Sequence, residues 1–227
     1  MRLPTDDRRS PVADRPPMNN PDRNQPGHDP GWPTERRYPA CTEVDEAFDV
    51  MVRSLRRFQE ALATSRPSVE LATEVARHLH RDAAALEAFG AAEHERPFGN
   101  LWDRPGRAQA MAPPFTCETM SAEKVSGTAY FSDFYLGANG AVHGGAVPLI
   151  FDEVLGRLAN VGRPRTRTAY LHVDYRRVTP IHKTLRLDAW MDRIDGRKLY
   201  LNGLLRDGVT VLAEASGLFV ILRPGQP

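Results

Sequence analysis

Two glycines and one aspartate stand at a spacing that suits acyl-transfer chemistry. Gly144 and Gly145 precede an apolar segment whose periodicity predicts a helix over about 144–160, and Asp152 lies inside that helix. Backbone amides at the start of a helix lack intrahelical acceptors and favour negative charge. Glycine lets a carbonyl oxygen approach such amides directly, as an oxyanion site requires. A carboxylate further along the helix could then act as general base or nucleophile.

The predicted helix is apolar around its whole circumference, which is typical of a helix enclosed by other elements. Its large apolar residues are Val147, Leu149, Ile150, Phe151, Val154, Leu155 and Leu158. One side of the helix carries a stripe of small residues with Asp152 in its middle. The other members of the stripe are Gly145, Pro148, Gly156 and Ala159. Because an unpaired buried carboxylate is unfavourable, we expect Asp152, rather than the adjacent Glu153, to face a groove open to a ligand or another backbone.

The segments around this helix predict an antiparallel sheet. Strand-like patterns lie at about 125–134, 166–178, 183–194, 197–206 and 209–222. The pairs Asp195-Gly196 and Asp207-Gly208 are strong hairpin signals between the last three strands. One helix and about five strands predict an α+β domain in which a curved sheet wraps the helix. Residues 91–120, which six prolines and glycines interrupt, are expected to be irregular.

Alternation within residues 168–177 assigns each side chain to a face of its predicted strand. The face expected to pack on the helix carries Ala169, Leu171, Val173 and Tyr175. The opposite face is expected to carry Thr168, Tyr170, His172, Asp174 and Arg176. Ten Lys and Arg residues but only four acidic residues lie between 163 and 198. This excess of positive charge suits phosphate oxygens.

These features resemble the PaaI-like and THEM-like branch of the hotdog-fold thioesterases. The resemblance covers about residues 98–222 and includes Asp152 nine residues after His143. The matching segments are 139–145, 168–180, 197–200 and 213–220. The resemblance implies a hotdog fold, in which an antiparallel sheet wraps a long central helix. It also implies a homodimer, open to assembly as a dimer of dimers, with each active site between two protomers.

The resemblance further implies hydrolysis of acyl-CoA thioesters to a free acid and CoA. Asp152 would be the general base or nucleophile, and the amides of Gly144 and Gly145 would polarise the thioester carbonyl. Thr168 would orient the acid or the attacking water, and His143 would fix the turn. The implied substrate-binding residues are Asn139, Asp174, Arg176, Arg197 and Lys198.

The N-terminal part departs from this family pattern. Residues 1–40 hold nine of the 19 prolines and almost no large apolar residue, so we expect a disordered tail. Residues 41–92 predict a helical hairpin, with amphipathic helices at about 43–63 and 69–86. The thioesterase domain would then span 93–227. We expect medium or long acyl chains, because the hairpin could cover an apolar tail.

The remaining composition excludes several classes of protein. The net charge of +1 does not favour a nucleic-acid partner. Two cysteines, no signal-like leader and no membrane-length apolar run predict a cytoplasmic protein. His78 and His80 point about 200° apart on one helix and cannot chelate one metal. No metal or cofactor is therefore expected, and the CoA thioester is the substrate.

Two other functions remain open at the level of sequence. A hotdog enoyl hydratase or dehydratase would place a second histidine near the helix, and none is found there. A non-catalytic acyl-CoA-binding regulator would use the N-terminal helices as its output, although they carry no basic recognition helix. The sequence does not distinguish CoA from an acyl carrier protein, and it does not identify the acyl chain.

Overall fold

The computed structural model describes residues 43–102 and 104–226 of the chain. Its helices are α1 (Glu43–Thr64), α2 (Val69–Glu87) and α3 (Ala146–Asn160). Its strands are β1 (Phe115–Met120), β2 (Lys124–Tyr130), β3 (Leu136–Ala138), β4 (Ala141–Val142), β5 (Thr166–Tyr175), β6 (Thr184–Asp195), β7 (Lys198–Asp207) and β8 (Thr210–Ile221). The tail predicted at 1–40 lies outside the described residues.

A single antiparallel sheet surrounds α3. Its six strands run in the order β1-β2-β6-β7-β8-β5, and β3 and β4 form a separate two-stranded ribbon. Ile150, Phe151 and Leu155 of α3 are fully buried against sheet residues such as Leu187 and Leu201. The sheet therefore wraps the central helix, and the predicted hotdog fold is confirmed.

The ends of α3 follow from its sequence. Gly145 is the N-cap residue, and Pro148 is the third helical residue, where a missing amide leaves no intrahelical hydrogen bond unmade. At the other end, the Asn160 side-chain amide donates to the carbonyl of Gly156 at 2.7 Å. The Asn160 side-chain oxygen accepts from the amide of Thr166 at 3.0 Å, so the same side chain joins α3 to the start of β5.

The structure differs from the sequence-based expectation ahead of α3. Strand β1 lies within residues 91–120, which were expected to be irregular. The strand predicted at 125–134 ends at Tyr130, and a 3₁₀ turn follows at Asp133–Tyr135. The Phe115 ring of β1 lies over Gly127 of β2, where an added Cβ would come within 2.7 Å of that ring. A cross-strand contact of this kind leaves no periodic signal in either segment.

The two N-terminal helices lie where they were predicted, but they make different contacts. Val52 of α1 packs with Leu101 and Ala108 in a small apolar cluster separate from the main core. No residue of α2 is buried. Neither helix, nor any other in the described residues, has the length and hydropathy to cross a membrane. The domain boundary at 92/93 stays a prediction.

A buried carboxylate joins three strands on the outer face of the sheet. Asp188 of β6 is 6% exposed and accepts hydrogen bonds from Ser126 of β2 at 2.7 Å and from Arg206 of β7. Burial alone would raise the pKa of Asp188. The hydrogen bonds from Ser126 and Arg206, with the charges of Arg186 and Arg206, outweigh burial and hold this pKa below its ordinary 3.8.

We expect Asp188→Asn to lower the free energy of unfolding by about 1–3 kcal/mol at pH 7, because it leaves the facing arginines without a carboxylate. Since the folded pKa lies below the unfolded one, the stabilisation is complete above about pH 4 and is lost as pH falls through the folded pKa. The difference between natural chain and variant should shrink over that range in urea titrations. Asp207→Asn, which removes the exposed Lys183–Asp207 pair, is the control and should change stability little. An equal loss in both variants would contradict the prediction.

Candidate active site

The turn that precedes α3 is held by its own backbone. Asn139 and Gly140 connect β3 to β4 with φ values of 51° and 74°, as a tight two-residue hairpin turn requires. The amide of His143 donates to the carbonyl of Tyr135 at 2.7 Å, and the amide of Ala146 donates to the carbonyl of His143 at 2.9 Å. The chain therefore enters the helix with His143, Gly144 and Gly145 on the surface.

The two predicted oxyanion amides differ in their contacts. The amide of Gly145 donates to Nδ1 of His143 at 3.0 Å, so this amide already has an acceptor within its own turn. The Tyr175 hydroxyl donates to the carbonyl of Gly144 at 2.5 Å. The peptide between Gly144 and Gly145 is thus held at both ends. Among the described residues, only the Gly144 amide of this pair lacks an acceptor.

Asp152 lies on the exposed side of the otherwise buried helix α3. Its Oδ1 accepts a hydrogen bond from the Thr168 hydroxyl at 2.8 Å, so a side chain of β5 holds the carboxylate in place. Asp152 is seven residues beyond Gly145, which corresponds to about 10 Å along the helix axis. One carbonyl group could not contact Asp152 and the Gly144 amide of the same protomer simultaneously.

The face assignment predicted for Thr168 is wrong because β5 contains a bulge. The register against β8 shifts between Thr168 and Tyr170, which leaves Ala169 as an extra residue. Thr168 therefore lies on the helix side together with Leu171 and Val173, which pack against the core. Strict alternation cannot detect an inserted residue, because the bulge reverses the phase of every later side chain.

The buried acid of α3 is Glu153. Its side chain is 8% exposed, and its two oxygens accept from Arg107 at 2.6 and 2.5 Å. Arg157, one turn later, donates to the same carboxylate at 3.1 Å and is itself buried. The Trp102 ring lies over both guanidinium groups, 4.3 Å from that of Arg107 and 5.5 Å from that of Arg157. Glu153 thus attaches the segment around 102–107 to the helix and leaves Asp152 as the accessible acid.

Two of the predicted substrate-binding residues already form ion pairs. Arg176 donates to Asp174 at 3.2 Å and to Glu214 at 3.0 Å. The hydrogen bond from Arg176 to Glu214, with the charges of Glu214 and Asp174, raises the pKa of this guanidinium. His172 lies 3.4 Å from Asp174. These side chains project from the outer face of β5, on the other side of the strand from Thr168.

The other predicted binding residues are distant from this pair. Arg197 donates to the carbonyl of Ile221 at 2.7 Å and lies beside Lys198, at the β6–β7 turn. Glu214, the partner of Arg176, pairs with Leu204 of β7. Leu204 is six residues from Lys198, which is about 20 Å along the strand. Asn139 lies in the β3–β4 turn. Within one protomer the predicted binding set therefore does not form one cluster.

A groove of about 640 Å³ lies beside the end of β5. It is lined by Arg176, Arg177, Val209, Thr210 and Val211. Val209, at the tip of the β7–β8 hairpin, is 97% exposed, and Tyr175 next to the groove contacts the Gly144 carbonyl. Arg177 was predicted only as one of many basic residues. The signal that selects it is its place two residues after Tyr175, the tyrosine that contacts the turn, and only the fold provides that contact.

Helix α1 reaches the turn through Tyr135. Arg56 donates to the carbonyls of Gln109 and Ala112 at 2.5 and 2.9 Å and to the hydroxyl of Tyr135 at 3.3 Å. The carbonyl of Tyr135 in turn accepts from His143. Burial raises the pKa of the Tyr135 hydroxyl, and the neighbouring Arg56 charge opposes this shift. Within residues 43–102 and 104–226, no group of three His, Cys, Asp or Glu side chains could hold a metal ion.

Comparison with known proteins agrees with this fold. The crystal structure of a thioesterase superfamily protein is similar with a TM-score of 0.63 and 33% sequence identity, over 80% of this chain and 92% of that chain. No family model matches the chain. The shared sheet wrapped around one helix, with 33% identity over 92% of the solved chain, defines the class of protein. The chain belongs to the thioesterase superfamily.

Curated relatives match a shorter region. Acyl-coenzyme A thioesterase THEM4 of Bos taurus is 33% identical over 90 residues, which cover 39% of this chain and 37% of that protein. Acyl-coenzyme A thioesterase THEM5 of Mus musculus is 30% identical over 89 residues, which cover 38% of this chain and 36% of that protein. The match therefore spans less than half of the length of these relatives.

The two adjacent acids of α3 should respond differently to removal of their charge. We expect Glu153→Gln to lower the free energy of unfolding by about 3 kcal/mol, because it leaves two guanidinium groups without their carboxylate. Asp152→Asn should cost less than about 1 kcal/mol, since that side chain is exposed. Urea unfolding followed by circular dichroism measures both changes. If Asp152→Asn lowered the free energy of unfolding more than Glu153→Gln, the structural role would belong to Asp152 and the prediction would be wrong.

Proposed function

We propose that this protein hydrolyses acyl-CoA thioesters to a free acid and CoA. The observation that carries the proposal is the Thr168–Asp152 hydrogen bond, which orients an accessible carboxylate on a helix that is otherwise buried. The unpartnered Gly144 amide at the start of the same helix supplies the second group that thioester hydrolysis needs. Proteins similar to this chain carry the name acyl-coenzyme A thioesterase, which supports the same reaction.

In this mechanism Asp152 activates a water molecule. One carboxylate oxygen stays hydrogen-bonded to Thr168, and the other accepts a proton as the water oxygen attacks the thioester carbon. The Gly144 amide donates to the oxygen that becomes negative. The C–S bond then breaks, and the CoA thiolate takes up the proton that Asp152 received. Direct attack by Asp152, which gives an anhydride that water cleaves, uses the same groups. Neither route requires a metal or cofactor.

The proposed site is formed between two protomers. The separation of about 10 Å along α3 is too long for one carbonyl to reach both groups of a single chain. Strand β5 is at one edge of the sheet and carries Thr168, so the edge that a second copy could extend lies beside the candidate acid. We therefore propose a homodimer in which Gly144 of one protomer faces Asp152 of the other; a dimer of dimers remains compatible with this arrangement.

The CoA phosphates are proposed to lie in the groove at the end of β5. Arg177 is the better phosphate ligand there, because the Arg176 guanidinium is already paired with two carboxylates. The other predicted binding residues can contact one substrate only if a second protomer brings them together; they are Asn139, Asp174, Arg197 and Lys198. The cytoplasmic location stays a prediction from the cysteine content.

Asp152→Asn tests the reaction directly. We expect a loss of at least about 100-fold in kcat, because the amide cannot accept the water proton. Thiol release from a panel running from acetyl-CoA to palmitoyl-CoA and phenylacetyl-CoA gives the rate and names the acyl class. Glu123→Gln, an exposed acid outside the site, is the control and should retain full activity. Tight binding of acyl-CoA by the natural chain without any thiol release would favour the acyl-CoA-binding regulator instead.

Tyr175→Phe tests the fixed peptide at the turn. Loss of the hydroxyl frees the Gly144 carbonyl. The amide of the same residue, Gly144, then becomes less well placed for the developing oxyanion. We expect kcat to fall roughly 5- to 10-fold with little change in KM, as for the loss of one hydrogen bond. Tyr170→Phe removes a hydroxyl from the outer face of the same strand and should leave both constants unchanged. If Tyr175→Phe and Tyr170→Phe lowered kcat equally, the loss would come from a general change in β5 and not from the hydrogen bond to Gly144.

A further inference from the structure

Helix α1 presents two polar side chains to the 3₁₀ turn that lies ahead of the ribbon β3–β4. Arg56 donates to the hydroxyl of Tyr135 at 3.3 Å. Glu60 accepts from the hydroxyl of Ser132. Residues four apart in a helix lie on one side of it, about one turn from each other. Ser132 and Tyr135 close the turn, since the amide of Tyr135 donates to the carbonyl of Ser132 at 3.0 Å. Helix α1 therefore holds this turn at both ends.

Backbone carbonyls fix the Arg56 guanidinium on its other side. It donates to the carbonyls of Gln109 and Ala112 at 2.5 and 2.9 Å. Gly106 lies against the same guanidinium, because an added Cβ there would come within 2.9 Å of Nη2. A planar guanidinium donates in fixed directions and can serve several acceptors at once. Arg56 is therefore a rigid link between the segment 106–112 and Tyr135.

The turn held by α1 contacts the chain just ahead of α3. The carbonyl of Tyr135 accepts from the amide of His143 at 2.7 Å. Gly137 lies against the same residue, since an added Cβ would come within 2.9 Å of the Cα of His143. The Gly144 amide belongs to the peptide bond that follows His143. Its position therefore depends on where Tyr135 holds His143.

The ribbon β3–β4 has a second support that does not involve α1. The amide of Val142 donates to the carbonyl of Thr179 at 2.8 Å. The amide of Ile181 donates to the carbonyl of Gly140 at 3.1 Å. These bonds keep the ribbon in place when α1 is released, but the His143 amide has its acceptor in Tyr135. Loss of the Arg56 contact should thus displace the turn without unfolding the domain.

We propose that Arg56 is a positioning residue for the Gly144 amide, and that it acts through Tyr135 and His143. The proposal rests on the proposed thioester hydrolysis, in which this amide donates to the developing oxyanion. A misplacement of about 1 Å at a reacting group can lower the rate roughly 100-fold. The contact with the oxyanion is made only in the transition state, so loss of Arg56 should lower kcat and leave KM nearly unchanged.

A double-mutant cycle tests the path from Arg56 to the turn. We expect Arg56→Ala and Tyr135→Phe each to lower kcat for acyl-CoA hydrolysis roughly 5- to 10-fold. The double variant should lose no more than the larger single loss, because both substitutions break the same contact. Arg56→Lys should recover part of the rate, since an ammonium group can still donate to the Tyr135 hydroxyl. Arg57→Ala removes the next, exposed arginine of α1 and should leave both constants unchanged. Losses that multiply in the double variant would overturn the proposal.

Hydrogen exchange at the His143 amide tests the same link without any substrate. We expect this amide to exchange at least about 5-fold faster in Arg56→Ala than in the natural chain. The amide of Val154, at the buried centre of α3, should keep its rate. Tyr135→Phe keeps the ring contacts with Phe131 and Phe134, so it provides the measurement if Arg56→Ala does not fold. Unchanged exchange at His143, or equal acceleration at Val154, would overturn the proposal.

The two measurements distinguish failure of this proposal from failure of the proposed function. If the natural chain releases no thiol from any acyl-CoA, the proposed function is wrong, and faster exchange at His143 alone still supports the link from Arg56 to the turn. If the natural chain is active and Arg56→Ala changes neither kcat nor the exchange at His143, the positioning role is wrong and the proposed function stands.

Discussion

The burial of α3 inside a curved sheet is the constraint on which the other features depend. Apolar side chains cover most of the helix circumference and meet the sheet, which leaves one narrow side open. An acid on any enclosed side would need partners or a proton. Asp152 occupies the open side and is oriented by Thr168 of the edge strand. The position of the candidate acid is therefore a consequence of packing, and so is its access to solvent.

The same packing separates the roles of two neighbouring acids. Glu153 is directed towards the segment around 102–107, where Arg107 and Trp102 enclose its ion pair with Arg157. Helix α1 adds a second connection, in which Arg56 reaches Tyr135 and Tyr135 supports the backbone of His143. Helix α1 is thus tied to the turn that begins α3. Because Arg56 meets only uncharged acceptors there, the attachment depends on hydrogen bonds.

Much of the fold could be predicted from particular residues. The circumferential apolar pattern of 147–158 predicted an enclosed helix, and the two Asp-Gly pairs located the hairpins between β6, β7 and β8. Strand β1 was missed, because its burial comes from the contact of Phe115 with Gly127 across the sheet. The site was predicted in part. Asp152 and Thr168 are in contact, whereas Arg176 and Arg197 lie far apart in one chain.

The sequence by itself determined which residue types are available and at what spacing: glycines at a helix start, an acid two turns later, and strands long enough to wrap the helix. Only the tertiary structure decided which of them meet. It assigned the Gly145 amide to His143, it moved Thr168 to the helix side through a bulge, and it made Glu153 the buried acid. The physical reason is that spacing along a helix or strand defines a direction locally. The partner of a hydrogen bond lies in a segment remote in the chain, and the bulge in β5 is defined by its pairing with β8. A local sequence pattern contains neither of these contacts.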